Sequence, residues 1–178
     1  LTNGNRIDII QSAGYYKALL PNSGSEKKCF LTSDGHITAI TSLQPVTASA
    51  QFTYYSIPVD SAYIIVTHKL LLTTANEYAV NRRSATGGYH NVILADIDEL
   101  YDQFAYGVVK SPLSIRHFAD YILDINPSAP PQNLFLLGKS IHMSACRQDS
   151  YHYSTDLVPS FGNPSSDNLF TAGLNGLS

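Results

Sequence analysis

Three short apolar segments constrain the fold of this chain more than any other feature. They are AYIIVTH (Ala62–His68), HNVILADI (His90–Ile97) and QNLFLLG (Gln132–Gly138), and each is nearly continuous in apolar residues. Strands buried on both faces of a parallel sheet have this pattern, whereas strands with one face in water alternate apolar and polar residues. The three segments therefore predict three buried parallel strands.

The segments between these strands carry helical signals. Residues 71–86 place apolar side chains at helical spacing and end at a glycine pair, Gly87-Gly88, which can take the left-handed conformation found at helix ends. The stretch DELYDQFAYG is predicted to be a loop with a short helical turn. A further helix is predicted after Ser111, which can cap it, and Pro112, which is tolerated at the first helical position. Its buried stripe is predicted to consist of Ile115, Phe118, Ala119 and Ile122.

Parallel strands joined by helical crossovers form an open α/β sheet. We therefore predict that residues 61–178 form an α/β unit with an open, mainly parallel sheet and flanking helices. Residues 1–60 contain short β-prone runs separated by turn clusters such as PNSGSE and SDGH, and are predicted to be a β-rich N-terminal region. Function in open α/β sheets gathers at the carboxyl ends of the strands, which here are Thr67-His68, Asp96 and Gly138-Lys139-Ser140.

The net charge, the length of the apolar runs and the positions of the glycines argue against several classes of partner. The formal net charge of −3 at pH 7 gives no electrostatic attraction for nucleic acid or an anionic membrane. No apolar run is long enough to cross a bilayer, and no segment resembles a signal peptide. The glycine pair in ATGGYHN ends a helix where a phosphate-binding loop would begin one, and THKLLLTT, after the first strand, has no glycine. A flavodoxin-like nucleotide or flavin binder is therefore the weakest interpretation.

Candidate catalytic and metal-binding side chains concentrate in the segment GKSIHMSACRQDSYHYSTD, which follows the third strand. His142 and Cys146 lie four residues apart and would face each other on a helix, where a Cys–His pair can activate a thiolate. The composition of the segment instead favours an irregular loop, so a self-contained catalytic pair is not expected. The same two residues, with His152 and Asp156, are chemically competent zinc ligands, but their spacings match no tight ligand pair and no metal site is predicted.

The remaining cysteine and histidines indicate structural roles. Cys29 and Cys146 are the only two cysteines; their pairing cannot be read from sequence, and free thiols are favoured because there is no dense disulfide framework. His68, at the end of the first strand, is interpreted as a cap for a neighbouring backbone group. Surface positions are predicted for His36, His90 and His117.

Five pieces of the chain, taken together, resemble the gingipain-type cysteine peptidases of peptidase family C25. The pieces are AYIIVTHKLL, RRSATGGYHNVILADIDELYDQFAYG, SIRHFADYIL, NLFLLGKS and VPSFGNPSSDNLF, and they occur in the order of the family over roughly Ala62 to Leu174. Each piece alone is a generic α/β fragment, and the combination carries the resemblance. It implies the caspase-like α/β fold, in the form of the N-terminal half of the catalytic domain.

The resemblance also implies roles for single residues. Asp167 matches an aspartate that lines the pocket for a substrate Arg or Lys, and a carboxylate can hold either cation by charge-assisted hydrogen bonds. The alternative for Asp167 is a turn residue that bonds its own backbone. Lys139 stands where active members can carry an acidic residue that orients the catalytic histidine, which a lysine cannot do. Calcium is a further possibility by family likeness, with oxygen donors from Asp149, Asp156 or Asp167.

The catalytic Cys and His of the family are expected downstream of Ser178, so no catalytic residue is assigned within the chain. The chain begins at Leu1 without Met, as expected of a processed piece of a longer protein. It is therefore interpreted as the scaffold and specificity-pocket half of a gingipain-like peptidase, inactive alone. Its partners would be the rest of the catalytic domain and a protein or peptide substrate. The resemblance implies secretion or display on a bacterial surface. The alternative is a non-catalytic α/β binding or surface module.

Overall fold

The structure, a computed structural model, describes residues 7–21, 24–36, 41–42, 51–55 and 60–174. The chain divides into two compact units, Leu1–Leu43 and Gln44–Ser178. In the first unit, strands β1 (Ile10–Ser12) and β2 (Tyr15–Lys17) pair antiparallel. The two residues between them have positive φ angles, as tight hairpin turns require. This hairpin agrees with a β-prone N-terminal region, while the predicted boundary at residues 60 and 61 stays a prediction.

The second unit is built on a parallel three-stranded sheet. Its strands are β3 (Tyr63–Thr67), β4 (Val92–Asp96) and β5 (Asn133–Leu137), in the order β4-β3-β5. All five residues of the central strand β3 are buried, because β3 has a neighbour on each edge and side chains packed on both faces. The prediction of an α/β fold with a parallel sheet is confirmed.

Helices cover both faces of this sheet. The helices of the second unit are α1 (Leu72–Arg83), α2 (Ile97–Phe104), α3 (Leu113–Ile125), α4 (Met143–Cys146) and α5 (Ser150–Thr155), with 3₁₀ turns at Lys69–Leu71 and Asp167–Phe170, and α1, α2 and α3 pack on the sheet. A further 3₁₀ turn, Asp34–His36, belongs to the first unit. On one face Ile64 and Val66 of β3 pack with the buried residues of α2 and α3. On the other face Tyr63 and Ile65 pack with Ala79 of α1. This alternation along β3 explains the continuous apolar pattern of its sequence.

The stretch after β4 is a helix, and its prediction as a loop with a short helical turn was wrong. Helix α2 runs over eight residues from Ile97 to Phe104. The Asp96 carboxylate caps it by accepting a hydrogen bond from the Asp98 N–H at 3.0 Å. Asp96 thus ends the strand and begins the helix, so the strand is also one residue shorter than predicted at this end.

Helix α3 confirms its predicted apolar stripe but not its predicted cap. Ile115, Phe118, Ala119 and Ile122 are all buried. The helix begins at Leu113, Pro112 precedes it, and no side-chain hydrogen bond caps this end. Ser111 contributes its carbonyl oxygen, which accepts hydrogen bonds from the Ser114 N–H at 3.2 Å and the Ser114 hydroxyl at 2.8 Å. The side-chain cap assigned to Ser111 was therefore wrong.

The end of α1 contains two further differences from the sequence interpretation. The helix ends at Arg83, three residues before the predicted end, although Gly88 has the positive φ, +98°, that was predicted for the glycine pair. His90 is half-buried rather than at the surface: its ring lies 5.2 Å from that of Tyr63, and its Nε2 lies 2.7 Å from Nη2 of Arg82.

Candidate functional site

The carboxyl ends of the three strands meet at one edge of the sheet, as the sequence predicts. Thr67 at the end of β3 lies opposite Asp96 of β4 and Leu137 of β5. The buried Thr67 hydroxyl donates a hydrogen bond of 2.9 Å to the Leu137 carbonyl oxygen. This bond ties the central strand to the strand that leads into Gly138-Lys139-Ser140.

His68 and Asp98 form a structural contact at this edge. Nδ1 of His68 accepts a hydrogen bond from the Leu70 N–H at 3.2 Å, which confirms its interpretation as a cap for neighbouring backbone. Its Nε2 lies 3.7 Å from Oδ2 of Asp98, and Nζ of Lys69 lies 3.0 Å from the same oxygen. Burial raises the pKa of the neighbouring Asp96, although the Asp98 N–H counteracts this effect. These groups stabilise the start of α2.

The segment that follows α5 is anchored to the end of β5 by backbone hydrogen bonds. The Lys139 carbonyl oxygen accepts from the N–H groups of Leu157 at 2.8 Å and Val158 at 3.1 Å. Val158 packs so closely on Gly138 that a Cβ added to this glycine would lie 2.5 Å from Cγ2 of Val158. The Ser160 hydroxyl adds a hydrogen bond of 3.2 Å to the Ile141 carbonyl oxygen. Glycine at 138 is therefore required for this close approach.

This anchoring creates an open cleft of about 520 Å³ beside the end of β5. Ser140 and His142 line one part of it, and the other lining residues are Ser160, Asn163, Pro164, Ser165, Ser166 and Asp167. The cleft therefore lies at the edge of the sheet where sequence reasoning places function. Apart from Asp167 and the imidazole of His142, its lining is formed by hydroxyl groups, an amide and a proline.

Asp167 is exposed at the wall of this cleft. It begins the 3₁₀ turn Asp167–Phe170, whose preceding residue Ser166 makes no side-chain capping bond. Backbone hydrogen bonds hold the turn, from Leu169 N–H to the Ser166 carbonyl at 3.2 Å and from Thr171 N–H to the Asn168 carbonyl at 3.2 Å. In the part of the chain that the structure describes, the Asp167 carboxylate has no hydrogen bond or ion pair. It is available to a ligand.

Lys139 presents a cation at the end of β5. Its side chain is exposed, and Nζ lies 6.0 Å from the centre of the Tyr151 ring, on α5. An ammonium group over an aromatic face is a weak stabilising contact. The side chain therefore interacts with α5, while the backbone carbonyl alone anchors Leu157 and Val158.

The segment between Lys139 and Leu157 forms the two short helices α4 and α5, so its prediction as an irregular loop was wrong. Even so, His142 and Cys146 do not form a catalytic pair. His142 caps α4, with Nδ1 3.3 Å from the Ser144 N and 2.7 Å from the Ser144 hydroxyl oxygen. The Cys146 thiol faces the carbonyl oxygens of Ile141 at 3.7 Å and His152 at 4.0 Å. Burial, with a smaller contribution from Asp156, raises the thiol pKa, which disfavours a thiolate.

The candidate metal ligands are not brought together. Within the described ranges there is no group of three or more His, Cys, Asp or Glu side chains placed to hold a metal ion. Asp149 instead caps α5: it accepts from the His152 N–H at 2.7 Å and pairs with Nδ1 of His152. These two bonds lower the pKa of Asp149. Neither the zinc set of four residues nor a calcium set from Asp149, Asp156 and Asp167 is assembled. Both cysteines of the chain are free thiols.

Asp156 is a buried carboxylate whose partners come from distant parts of the sequence. Its Oδ1 accepts a hydrogen bond of 2.9 Å from the Ile141 N–H, and Lys110 donates its ammonium to the Asp156 carbonyl oxygen. Burial raises the pKa of Asp156, while the Ile141 N–H and the charge of Lys110 act in the opposite direction. Sequence reasoning missed Lys110, because nothing local links it to a residue 46 positions later.

We expect Asp156→Asn to alter the dependence of stability on pH. A carboxyl group whose pKa is raised on folding contributes stability that is complete below the unfolded value of about 4 and lost as pH rises through the folded value. The urea midpoint of the asparagine variant should therefore rise relative to wild type between about pH 3.5 and pH 7, because asparagine stays neutral and can still accept the Ile141 bond. Asp124→Asn, on the exposed end of α3, is the matched control. A midpoint difference that shrinks with rising pH would contradict the prediction.

Comparison with known proteins identifies a family. The model of Peptidase family C25 matches residues 57–175, more than half of the 178 residues. No similar protein was found among curated proteins, and none among solved structures. Within the described ranges, no helix is both long enough and apolar enough to span a membrane.

Proposed function

Because the chain belongs to peptidase family C25, we propose that it forms the scaffold and specificity-pocket half of a gingipain-like cysteine peptidase. The observation that carries this proposal is the unpaired Asp167 carboxylate on the wall of the open cleft. A carboxylate in this position can hold the guanidinium or ammonium group of a substrate Arg or Lys by charge-assisted hydrogen bonds. The substrate would be a protein or peptide, with its basic side chain in the cleft.

The bond-cleaving groups in this proposal belong to sequence downstream of Ser178. A cysteine thiolate there would attack the peptide carbonyl, and a histidine would donate a proton to the leaving amine. Backbone N–H groups would stabilise the oxyanion, and water would then hydrolyse the resulting thioester. The surroundings of Cys146 support this division of roles, because its thiol contacts backbone carbonyl oxygens and has a raised pKa. The chain alone would then be inactive, and its first partner would be the rest of the catalytic domain.

Lys139 supports a second candidate function, a non-catalytic binding or surface module. The ammonium at this position cannot accept a hydrogen bond from an imidazole, so it cannot orient a catalytic histidine as an acidic residue would. In this alternative the cleft binds a basic peptide segment without cleaving it. A cleavage assay on the full-length protein, with and without a thiol-blocking reagent, separates the two candidates. For either candidate, we propose export to the surface or surroundings of a bacterium, on the basis of the family likeness.

We expect Asp167→Asn to abolish the preference of the full-length protein for basic residues. Loss of the charged partner should lower kcat/KM for peptides cleaved after Arg or Lys about tenfold, because the substrate cation would lose its charge-assisted hydrogen bonds in the open cleft. Peptides with a neutral residue at the same position should be cleaved as before. Asp124→Asn removes the same charge from an exposed site on α3 and should change neither rate.

Two outcomes would count against the role of Asp167. If the asparagine variant cleaves basic peptides at the wild-type rate, another group recognises the cation. If it loses activity toward basic and neutral peptides alike, the substitution acts on the structure of the cleft. If the wild-type protein cleaves no peptide, the affinity of Asp167→Asn for a basic peptide, measured by calorimetry, tests the binding-module alternative.

A further inference from the structure

A second, smaller cavity lies directly beside the open cleft. Its volume is about 200 Å³, and Ser160 lines both spaces. Ile141 lines the small cavity and the next residue, His142, lines the cleft, so the two spaces are immediate neighbours in the fold. A peptide held in the cleft would therefore place a neighbouring residue at the mouth of the small cavity.

The walls of the small cavity are largely apolar and partly uncovered. They include Val109, Ile141, Met143 and Pro159, together with the Cys146 thiol. Val109 is 55% exposed and Met143 is 42% exposed, so both large apolar side chains of the lining keep much of their surface in water. An apolar group inserted here would remove this surface from water.

The charged groups of the small cavity disfavour a basic occupant. The buried Asp156 already accepts the Ile141 N–H, and Lys110 is bound to the Asp156 carbonyl, with Nζ 5.0 Å from the centre of the Tyr153 ring. Arg147 adds an exposed cation to the lining. Two cations and one carboxylate leave the lining with a net positive charge, so a lysine or arginine side chain would be repelled.

Size limits the occupant further. Sites for drug-sized ligands usually span about 300–1,000 Å³, and the small cavity lies below that range. It therefore suits a single amino-acid side chain rather than a cofactor.

We infer that the small cavity is a subsite for an uncharged aliphatic side chain, of the size of leucine, next to the basic residue of the peptide. This inference rests on the proposed function, because the basic residue in the cleft sets the position of its neighbour. The two sites would recognise two neighbouring residues of the peptide. Asp167 selects the cation of one residue, and the small cavity selects the apolar side chain of the residue next to it.

Binding of three short peptides to the full-length protein, each with a reduced, non-cleavable bond after its arginine, tests the subsite. The probes are amidated, N-acetylated peptides with a central arginine flanked on both sides by leucine, glycine or lysine. The leucine-flanked peptide should bind about tenfold more tightly than the glycine-flanked one, since it buries one side chain. The lysine-flanked peptide should bind no better than the glycine-flanked one. Peptides with a single leucine, either before or after the arginine, then show which neighbour of the arginine occupies the subsite.

The two cysteines of the chain provide a readout that is independent of activity. At saturation, the leucine-flanked peptide should slow maleimide alkylation of Cys146 at least fivefold and leave exposed Cys29 unaffected, as followed by peptide mapping. Met143→Lys should remove the advantage of leucine over glycine. Val80→Lys also replaces an exposed apolar side chain by lysine, but on α1, outside the cavity. This control variant should still bind the leucine-flanked peptide more tightly than the glycine-flanked one.

The outcomes separate the subsite from the role of Asp167. Equal affinity for the leucine- and glycine-flanked peptides, with unchanged Cys146 alkylation, would overturn the subsite. Tight binding of the lysine-flanked peptide would also overturn it, because the charge argument would be wrong. The role of Asp167 is tested separately by the effect of Asp167→Asn on the glycine-flanked peptide, which does not use the small cavity.

Discussion

Replacing Phe118 with alanine should reduce the free energy of unfolding by about 3–5 kcal/mol, the range expected for a fully buried aromatic side chain. Phe118, on α3, is 0% exposed. Its ring centre lies 4.8 Å from that of Tyr55 and 5.3 Å from that of Phe104. The substitution would leave a cavity where α2, α3 and the residues before β3 meet. Since domains of ordinary size are stable by about 5–15 kcal/mol, this loss is a large fraction of the total stability, and the variant should unfold at a clearly lower denaturant concentration.

Chemical denaturation followed by far-UV circular dichroism measures this change, because the chain has no tryptophan to serve as a fluorescent probe. Phe30→Ala is the matched control: the same atoms are removed from a side chain that is 91% exposed, and the expected change is within about 0.5 kcal/mol. If Phe118→Ala lowers the free energy of unfolding by less than about 1 kcal/mol, the ring does not lie in the hydrophobic core of the second unit.

Gly87→Ala should destabilise the connection between α1 and β4 by about 3 kcal/mol. Gly87 is buried, and a Cβ at this position would lie 1.8 Å from the carbonyl oxygen of Asn81 and 2.7 Å from the Cα of Arg82. Both neighbours are backbone atoms of the last turns of α1, so a side-chain rotation cannot relieve the overlap. The end of the helix would have to move, which would disturb the hydrogen bond of 2.9 Å from the His90 N–H to the Arg82 carbonyl.

Hydrogen exchange of the amides of α1 and β4 locates this effect, and denaturation gives its size. Gly35→Ala is the control, because a Cβ at Gly35 meets nothing within 4 Å and its φ is not in the left-handed region. Unchanged exchange rates in α1 of the Gly87 variant would show that this helix end tolerates a side chain, contrary to the close packing described above.

The strands and the longest helix were predictable from sequence because their signals are local. The continuous apolar pattern of β3 and the apolar stripe on α3 can each be recognised within a few consecutive residues, because they depend only on the repeat of side-chain directions along a strand or a helix. Helix α2 was missed because it is short and its first residue continues the apolar run of β4. The spacing of Ile97, Leu100, Tyr101 and Phe104 at i, i+3, i+4 and i+7 was the signal that identifies it.

The candidate site was predictable only in part. The resemblance singled out Asp167, but no local pattern placed Ser140 and His142 beside it. That proximity depends on two backbone hydrogen bonds to Lys139, and backbone groups are the same in every residue type except proline. The pairing of Lys110 with Asp156 escaped prediction for a related reason, since it joins segments that only the folded sheet brings together.

The backbone and the side chain of Lys139 have separate roles at the cleft. Its carbonyl oxygen holds Leu157 and Val158, while its side chain extends to Tyr151 and contributes nothing to that anchor. An exchange of lysine for an acidic residue at 139 would therefore leave the cleft intact while supplying an acceptor for an imidazole. Under the proposed function, a lineage with this scaffold would lose or regain the support of a catalytic histidine by a single substitution, without rebuilding the binding surface.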